Sequence, residues 1–261
     1  MIDIHSHLIH GVDDGSIGVE MSLNMAKEAV KAGFTDIICT PHYMLGQYEI
    51  SKEKMKEYLE LLKQEIKKEN IQITLHQGNE IYLEKEVIQS IQKGIISPLG
   101  SSKYVLVELP INQYMQGIGN LLYEVIALGY VPILAHPERY LYVQENPKLV
   151  YEWIQKGAYI QTNYGSVLGK YGVKAEKTLK LLFKHKMVHF IASDAHRDTS
   201  IYMQIEEAKQ KLEKWTSKEV IERISNYNPA CILQNTEIEF QEPVPYKISW
   251  LKKFKKLAQK I

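Results

Sequence analysis

The sequence holds little of what several protein classes require. Its two cysteines, Cys39 and Cys231, rule out a disulfide framework, and we predict that both are buried thiols. No apolar run reaches the roughly 18 residues of a membrane span, and the start of the chain lacks the basic-then-apolar pattern of a signal peptide. The net charge of +1 over 261 residues is not that of a bulk nucleic-acid binder. We therefore expect a cytoplasmic protein without a nucleic-acid partner.

Arginine and nucleotide-binding motifs are scarce as well. Of 32 basic residues only three are arginine, Arg139, Arg197 and Arg223, so the position of each one is informative. Neither G-x-G-x-x-G nor G-x-x-x-x-G-K-[ST] occurs, and a nucleotide-binding fold therefore has no support from motifs.

Short apolar, β-branched runs alternate with longer stretches of helical periodicity. Predicted strands lie at 2–4, 35–40, 71–75, 104–109, 131–135, 158–162 and 188–193, and predicted helices near 19–32, 51–69, 84–93, 117–128, 147–156, 173–185, 203–213 and 217–226. Strands that alternate with helices predict a parallel sheet. With about seven units and no linker between them, we expect an α/β protein whose strands close into a barrel.

Metal-ligand side chains follow six of the seven predicted strands. They are His5 and His7, His42, Glu80, Glu108, His136, and the pair Asp194 and His196. The carboxyl ends of parallel barrel strands open on one face, so these side chains should converge in space. Side chains two residues apart on an extended strand leave on the same face, which would let His5 and His7 chelate one ion. The joint pattern predicts a metal site.

We assign the remaining histidines to structure. His76 lies within a strand, His189 has the opposite strand parity to Asp194, His185 ends a helix and His10 is a loop residue. Imidazole and carboxylate ligands without thiolate suit Mn, Fe, Zn or Co, or Mg at oxygen-rich positions. With Asp13 and Asp14 in the first loop, the candidates exceed what one ion needs and indicate two or three.

Two of the three arginines adjoin predicted ligands, Arg139 in "HPER" and Arg197 in "SDAHR". Guanidinium groups bind phosphate and carboxylate through two parallel hydrogen bonds, so metals together with arginine favour a phosphoester substrate. The alternative is that Arg139 pairs with a loop carboxylate such as Glu138, and that Arg197 has no contact with phosphate.

Several stretches together resemble the PHP (polymerase and histidinol phosphatase) family, and more closely its CpsB/YwqE branch of bacterial tyrosine phosphatases in capsular and exopolysaccharide synthesis. They are "DIHSH", "GVDDGS", "TPHY" with Gly46 and Tyr48, "GNEI", "VELP", "AHPERY", "IASDAH" and "NPACILQN". They run in family order from residue 3 to about 235. Many members carry an arginine several residues beyond "SDAH", whereas this chain has Arg197 directly after it.

The resemblance implies a distorted (β/α)7 barrel, a TIM-like fold, with up to three divalent metal ions, of which manganese is the first expectation. Carried over to this sequence, it implies one ion held by His5, His7, Glu80 and Asp194, a second by Glu80, Glu108 and His136, and a third by Asp14, His42 and His196. The implied substrate is phosphotyrosine in a protein, and the implied partner is a membrane-anchored tyrosine kinase of polysaccharide synthesis.

The expected reaction uses water as the nucleophile, with Arg139 sharing the phosphoryl charge. A cysteine-based route needs a cysteine six residues before an arginine, but Leu45 and Glu237 occupy the corresponding positions. We expect His42, or Asp13 or Asp14 through water, as the general acid. Arg197 is a further catalytic candidate, and nearby tyrosines could stack on the substrate ring, namely Tyr43, Tyr48 and Tyr140.

The last part of the chain differs in character. We predict a single phosphoesterase barrel over 1–240 and a basic amphipathic tail over 241–261, with six lysines and no acid in the last fifteen residues. Such a tail either packs on the barrel or lies on an anionic membrane surface, which would place the protein at the inner membrane face.

Three alternative functions remain open from the residues. One is a small-molecule phosphatase acting on histidinol phosphate or a similar compound. Another is an amidohydrolase, which also begins with H-x-H on a barrel strand, but Glu108 stands where that class usually has a carboxylated lysine. The third is a non-catalytic scaffold, against which the complete ligand set argues. The oligomeric state is left open.

Overall fold

The computed structural model describes residues 1–199 and 201–246, and the elements alternate as the sequence predicts. The strands are β1 (Ile2–Ser6), β2 (Asp36–Cys39), β3 (His42–Tyr43), β4 (Thr74–Gln77), β5 (Glu80–Tyr82), β6 (Tyr104–Glu108), β7 (Val131–Leu134), β8 (Tyr159–Asn163) and β9 (Phe190–Ala192). The helices of the first half are α1 (Val19–Lys31), α2 (Lys52–Lys68), α3 (Val87–Gln92) and α4 (Ile118–Ala127).

The second half of the chain holds more helices than the periodicity predicts. They are α5 (Leu141–Glu145), α6 (Lys148–Ile154), α7 (Tyr164–Val167), α8 (Val173–Lys184), α9 (Ile205–Leu212), α10 (Lys218–Glu222) and α11 (Asn228–Leu233), with 3-10 turns at Pro137–Arg139 and Ile201–Gln204 and a π-helical turn at Arg223–Tyr227. The short helices α5, α7 and α11 were not predicted, because segments of four to six residues are too brief to show a helical period.

Every strand pair is parallel, and two sheets form in the order β1-β2-β4 and β3-β5-β6-β7-β8-β9. The sheets are continuous because β3 prolongs β2 and β5 prolongs β4. The end of β9 returns to the first strand, where the amide of His7 donates to the carbonyl oxygen of Ala195 at 2.9 Å. If β2 with β3 and β4 with β5 are each counted as one interrupted strand, the nine short strands form the seven strands of a distorted (β/α)7 barrel. This confirms the predicted fold class.

Two of the seven barrel strands, β2–β3 and β4–β5, are interrupted at positions that the residue types explain. Pro41, which has no N–H to donate to the ladder, lies between β2 and β3. Gly78 lies between β4 and β5, and a Cβ there would approach side-chain carbons of Ile38 and Leu99 to 2.9 and 3.0 Å. The predicted strand at 71–75 begins later, at Thr74. Both breaks lie just before a predicted ligand, His42 or Glu80.

The barrel interior is apolar at its amino-terminal end. Side chains from the strands meet Cys231 and Ile232 of α11, which covers that end. A larger apolar layer lies between the strands and the surrounding helices. Both cysteines are buried, as predicted. Because apolar side chains fill the amino-terminal end of the interior, polar side chains at the strand ends have space only at the opposite, carboxyl-terminal face.

The described part of the tail lies against the barrel. The amide of Val244 donates to the carbonyl oxygen of His185 at 2.8 Å, and Tyr246 packs edge-on against the His185 ring. The rest of the predicted amphipathic tail, 247–261, lies outside the described residues, so the division into a barrel and a tail stays a prediction. Within the described residues, no helix has both the length and the apolar character needed to cross a bilayer.

Candidate active site

The predicted ligands converge at the carboxyl-terminal face of the barrel. Their nitrogen and oxygen atoms form four overlapping groups with separations within 4.8 Å: His7, Asp14, His42 and His196; His5, His7 and Glu80; His5, His136 and Asp194; and His42, Glu80 and Glu108. All nine residues singled out in the sequence are present in these groups. Whether each one binds metal stays a prediction.

Glu80 is the centre of the cluster. Its Oε2 lies 3.1 Å from His5 Nε2, 3.1 Å from His42 Nδ1 and 3.4 Å from His7 Nε2. Its other oxygen, Oε1, lies 3.0 Å from Nε2 of His136. One carboxylate therefore faces four imidazoles from three other barrel strands. A carboxylate in this position is suited to bridge two metal ions.

The cluster divides into two parts by exposure. The first, the buried half, consists of residues that are at most 8% exposed: His5, His7, Glu80, Glu108, His136 and Asp194. The second, the rim, consists of Asp14, His42 and His196, whose side chains are 55%, 15% and 28% exposed. The rim bounds a cleft of about 260 Å³, whose other walls include Met44, Tyr48, Ile111 and Arg139.

The two chelating pairs converge for a different reason from the one predicted. Strand β1 ends at Ser6 with a register shift, and β9 ends at Ala192, so neither pair lies on one regular strand. Even so, His5 Nε2 and His7 Nε2 are 3.2 Å apart. Asp194 and His136 adopt left-handed backbone angles, with φ of 53° and 34°, which side-chain-bearing residues adopt at a cost. Such strain at two predicted ligands is typical of a functional site.

The buried half concentrates carboxylates and imidazoles whose pKa values are strongly shifted. Burial disfavours the charged form of His5, but the carboxylates of Glu80 and Asp194 outweigh it and raise the pKa of His5 to about 9. Burial, reinforced by Glu80, raises the pKa of Glu108 to about 8. Burial and Arg139 lower the pKa of His136 to about 4. The carboxyls gather around Arg139, the one permanently cationic side chain among the described residues of the cleft wall.

This donor set fits divalent metal ions. It consists of imidazole nitrogens and carboxylate oxygens without thiolates, and within each of the four groups the ligand atoms lie within 4.8 Å of one another. The acidic excess around Arg139 would be offset by bound dications. The structure thus supports the predicted donor chemistry, while the identity and number of ions stay predictions.

Two residues outside the predicted ligand set orient the imidazoles. Asp13 Oδ2 lies 2.6 Å from His7 Nδ1 and accepts from the amide of His42 at 3.0 Å, while its Oδ1 accepts from Gly15. Gln161 Oε1 lies 2.9 Å from His5 Nδ1. Hydrogen bonds of this kind fix which ring nitrogen faces the cluster. These contacts occupy both oxygens of Asp13, so they give no support to the suggestion that Asp13 acts as a general acid.

Gln161 belongs to β8, the one barrel strand that no predicted metal ligand follows. Its Nε2 donates to Asn163 Oδ1 at 2.7 Å, and Asn163 Nδ2 donates to Asp194 Oδ2 at 2.7 Å. Strand β8 therefore supports ligands that follow β1 and β9. Sequence reasoning missed this role because amides are not ligands, although two amides at the end of an otherwise apolar strand were a usable signal.

The three arginines have separate positions. Arg139 lines the cleft, donates through Nη1 to Asp194 Oδ2 at 2.7 Å and places its guanidinium carbon 4.3 Å from the centre of the Tyr171 ring. Arg197 instead donates through Nη1 to the carbonyl oxygens of Asp14 and Gly15 at 2.7 and 2.6 Å. Arg197 thus secures the first loop, and its predicted catalytic role has no support from these contacts. Arg223 bonds Gln241, away from the cleft.

The first loop fits tightly against the cluster. A Cβ on Gly15 would lie 2.4 Å from the His7 backbone oxygen and Cβ, so only glycine is tolerated there. This close approach brings Asp14 over the site, where its Oδ1 lies 3.5 Å from Nε2 of both His42 and His196. The hydrogen bond to His196 lowers the pKa of Asp14 to about 2.

Of the three tyrosines suggested for stacking, only Tyr48 lines the cleft, where its ring stacks on His42 at 5.8 Å. Tyr43 and Tyr140 are buried, with their hydroxyls bonded to Ser90 and to the backbone of Leu109 and Ala135, so a stacking role for them is wrong. Tyr171 lies against Arg139 and was missed by the sequence reasoning.

The histidines assigned to structure lie outside the cluster. His76 Nε2 pairs with Asp36 Oδ1 at 2.8 Å, His185 Nδ1 contacts the carbonyl oxygen of Val244, and His10 packs near Tyr58. His189 accepts from the amide of Ile160, and its burial lowers its pKa. None of the four belongs to a potential ligand group among the described residues.

Comparison with known proteins identifies relatives with the same fold. The chain is 34% identical to the tyrosine-protein phosphatase YwqE of Bacillus subtilis over 95% of this chain and 97% of that protein. It is 33% identical to the putative tyrosine-protein phosphatase CapC of Staphylococcus aureus, over 93% of this chain and 95% of that protein. A solved structure from work on B. subtilis YwqE and Streptococcus pneumoniae CpsB, described as unique metal-dependent tyrosine phosphatases, matches with a TM-score of 0.89 at 34% identity, covering 95% of this chain and all of that one.

The model of the family described as "Capsular polysaccharide synthesis, CpsB/CapC" matches residues 1–234, which include the whole cluster and nearly all of the barrel. The chain belongs to the CpsB/CapC family.

Proposed function

We propose that this protein is a metal-dependent tyrosine-protein phosphatase that removes phosphate from a bacterial tyrosine kinase of capsular or extracellular polysaccharide synthesis. The observation that carries the proposal is the cluster of five histidines and four carboxylates beside Arg139 in a 260 Å³ cleft. The family and the names of the relatives support phosphotyrosine as the substrate.

The proposed ligand assignment follows the cluster. His5, His7, Glu80 and Asp194 would hold one divalent ion, Glu80, Glu108 and His136 a second, and Asp14, His42 and His196 a third. Manganese is the first choice. Such ions, when bound, lower the pKa of water into the working range and offset phosphoryl charge.

The chain's own residues perform the remaining tasks. Asp13 and Gln161 hold His7 and His5 so that Nε2 of each ring faces the cluster. Arg139 keeps N–H groups beyond the Nη1 contact to Asp194, and these can bind phosphoryl oxygens. A phenol leaving group, with a pKa near 10, departs with little help. The candidates for supplying its proton are His42 at the rim and a water molecule held by the Asp14 carboxylate.

A cysteine nucleophile is not available in this site. Cys39 is fully buried in the apolar core, and burial raises the pKa of its thiol. Cys231 lies in the apolar cluster at the opposite end of the barrel. Neither thiol reaches the cleft, so water is the proposed nucleophile.

A substrate and metal comparison tests the proposal. We expect hydrolysis of a phosphotyrosine peptide to disappear when the protein is stripped with a chelator and to return with Mn²⁺. Histidinol phosphate, assayed side by side, should be hydrolysed much more slowly. Activity that survives both metal stripping and His136→Ala would contradict the proposed function, and faster hydrolysis of histidinol phosphate would favour a small-molecule phosphatase.

We also propose that the lysine-rich tail brings the protein to the cytoplasmic face of the membrane, where a membrane-anchored kinase would be its substrate. The support is the charge of the last fifteen residues. Flotation with vesicles that contain anionic lipid should recover the wild-type protein but not a variant with Lys252, Lys253, Lys255 and Lys256 replaced by glutamate. Equal recovery of the two would contradict the membrane role.

A further inference from the structure

A second cavity adjoins the cleft on the side of Arg139. This side groove has a volume of about 470 Å³, and Ile111 and Arg139 line both spaces. Its other walls include Leu141, Tyr171, Val173 and Lys174, from the start of α5 and the turn that leads into α8. The two cavities therefore adjoin each other at the arginine proposed to bind phosphate.

The cleft is too small to enclose more than the reacting side chain. Its 260 Å³ lies below the roughly 300–1,000 Å³ of pockets that enclose drug-sized ligands. A phosphotyrosine with its phosphate at the ligand cluster must leave its main chain at the mouth of the cleft. The side groove shares Ile111 and Arg139 with the cleft, so the residues next to the phosphotyrosine have a surface beside them.

The side groove has the character of a peptide-binding surface. Leu141 is 47% exposed, Val173 64% and Tyr171 38%, which is unusual for apolar side chains that lie next to one another. Tyr171 is held in place beneath the Arg139 guanidinium. An apolar surface with a fixed aromatic ring suits the side chains of an extended polypeptide.

The charge of the side groove is positive. Lys174 has no ion-pair partner within residues 1–199 and 201–246, and no carboxylate is among the described residues that line the groove. This charge opposes the protein's own tail as an occupant, because the last fifteen residues carry six lysines and no acid. It favours a segment that contains aspartate or glutamate.

We propose that the side groove binds the acidic polypeptide segment that flanks the phosphotyrosine of the substrate. The proposal rests on the phosphatase function and adds to it a determinant of substrate choice. The phosphorylated side chain enters the cleft past Arg139, and its neighbours in sequence lie over Leu141 and Val173 with their carboxylates near Lys174. A substrate without flanking residues makes none of these contacts.

Lys174→Glu tests the charge, and Lys177→Glu is its matched control. Lys177 is exposed on the same helix but does not line the groove, so the two variants carry the same change in net charge. Lys174 is in the first turn of α8, where an acidic residue is favourable to the helix, so the variant should fold. The substrates are p-nitrophenyl phosphate and two phosphotyrosine peptides, one flanked by glutamates and one by lysines, with the Mn²⁺-loaded enzyme.

We expect Lys174→Glu to lower kcat/KM for the glutamate-flanked peptide by about fivefold or more, mainly through KM, and to raise it for the lysine-flanked peptide. With p-nitrophenyl phosphate the change should stay below about twofold, and Lys177→Glu should change every substrate by less than that. Leu141→Ala should weaken both peptides without affecting p-nitrophenyl phosphate, whereas the exposed control Tyr123→Ala on α4 should affect none of the three.

Equal effects of Lys174→Glu and Lys177→Glu on the peptides would overturn the side-groove proposal and leave the phosphatase function intact. A changed elution volume for Lys174→Glu in gel filtration, with unchanged peptide kinetics, would also overturn it and assign the groove to a second copy of this chain. If the variant with glutamates in place of the tail lysines hydrolyses the peptides more slowly than the wild type, the side groove would be assigned to the protein's own tail instead. No hydrolysis of any of the three substrates by the wild type would overturn both proposals.

Discussion

The buried half and the rim of the ligand cluster are held in different ways. Side chains of the buried half project from strand ends into a space that is closed below by an apolar core, and other side chains fix their orientation. The rim is built from the first loop, from His42 of β3 and from the segment after β9, and Arg197 ties the first loop to that last segment through backbone carbonyls. The buried half is preorganised by packing, whereas the rim depends on how its loops are held.

The comparison implies that losing a residue from the buried half is more damaging than losing one from the rim. Glu80→Gln removes the charge that faces four imidazoles, so we expect loss of bound metal and a fall in kcat/KM on the order of 1,000-fold. Asp14→Asn, at the 55%-exposed rim position, should cost about tenfold. Metal content by mass spectrometry and kinetics with p-nitrophenyl phosphate check both variants. Equal losses would contradict the division into two parts.

The two arginines near the cluster allow the same comparison for charge. Arg139→Lys keeps the positive charge but loses the fork that can bind Asp194 and phosphate together, and we expect kcat to fall by about 100-fold. Arg197→Lys is the matched change at the loop and should cost tenfold or less, because one ammonium can still donate to the carbonyl oxygens. A larger effect at Arg197 would give it the catalytic role that the sequence suggested.

The support of the buried half by β8 can be tested at Gln161. Gln161→Leu keeps the volume but removes the acceptor for His5 Nδ1 and the donor to Asn163. We expect metal affinity to weaken by about 10- to 100-fold, as is usual when an orienting partner of a ligand is lost. Competition with a chromogenic chelator measures the change. If the variant is less active because it binds metal more weakly, its activity should return at high Mn²⁺ concentration. Activity that stays low at high Mn²⁺ concentration would contradict the orienting role of Gln161.

The smallest expected effect is on the pH dependence of stability. In the metal-free protein the raised pKa of His5 contributes stability that is complete below pH 6.5 and is lost as the pH rises through about 9. Metal binding must displace that proton, so Mn²⁺ should raise the melting temperature more at pH 8.5 than at pH 6.5. At the rim, burial lowers the pKa of His42, which leaves little proton to displace. A metal-induced shift that is the same at both pH values would contradict the protonated state of His5.

Much of the site could be predicted because its residues stand at strand ends that the apolar pattern reveals. Glu108 and His136 each follow such a run directly, and barrel topology then requires the two to converge. Asp13 and Gln161 could not be assigned in the same way. Asp13 reaches His7, six residues away, only through the path of the first loop, and Gln161 reaches His5 only once β8 and β1 belong to one closed barrel. Neither contact leaves a periodic pattern in the sequence.

Tyr171 and Arg197 show the same limit for loops. The sequence places Arg197 beside a ligand, but the direction of its guanidinium depends on the path of the first loop, nearly the whole chain away. Tyr171 lies in the turn between α7 and α8, and its contact with Arg139 exists only because α8 packs beside the segment that carries Arg139. Such contacts carry no local periodicity.

The sequence by itself determined the order of strands and helices, the closed parallel barrel and the identity of the side chains at its open face, because apolar periodicity and strand polarity are local properties. Only the tertiary structure decided which of those side chains are buried, which neighbours orient them, and that Arg139 faces the cleft while Arg197 faces the loop. The opening "HSH" illustrates both parts. Its chelating character is readable from the residue types, but its two rings are held by Asp13, through the path of the first loop, and by Gln161, which closure of the barrel brings to His5.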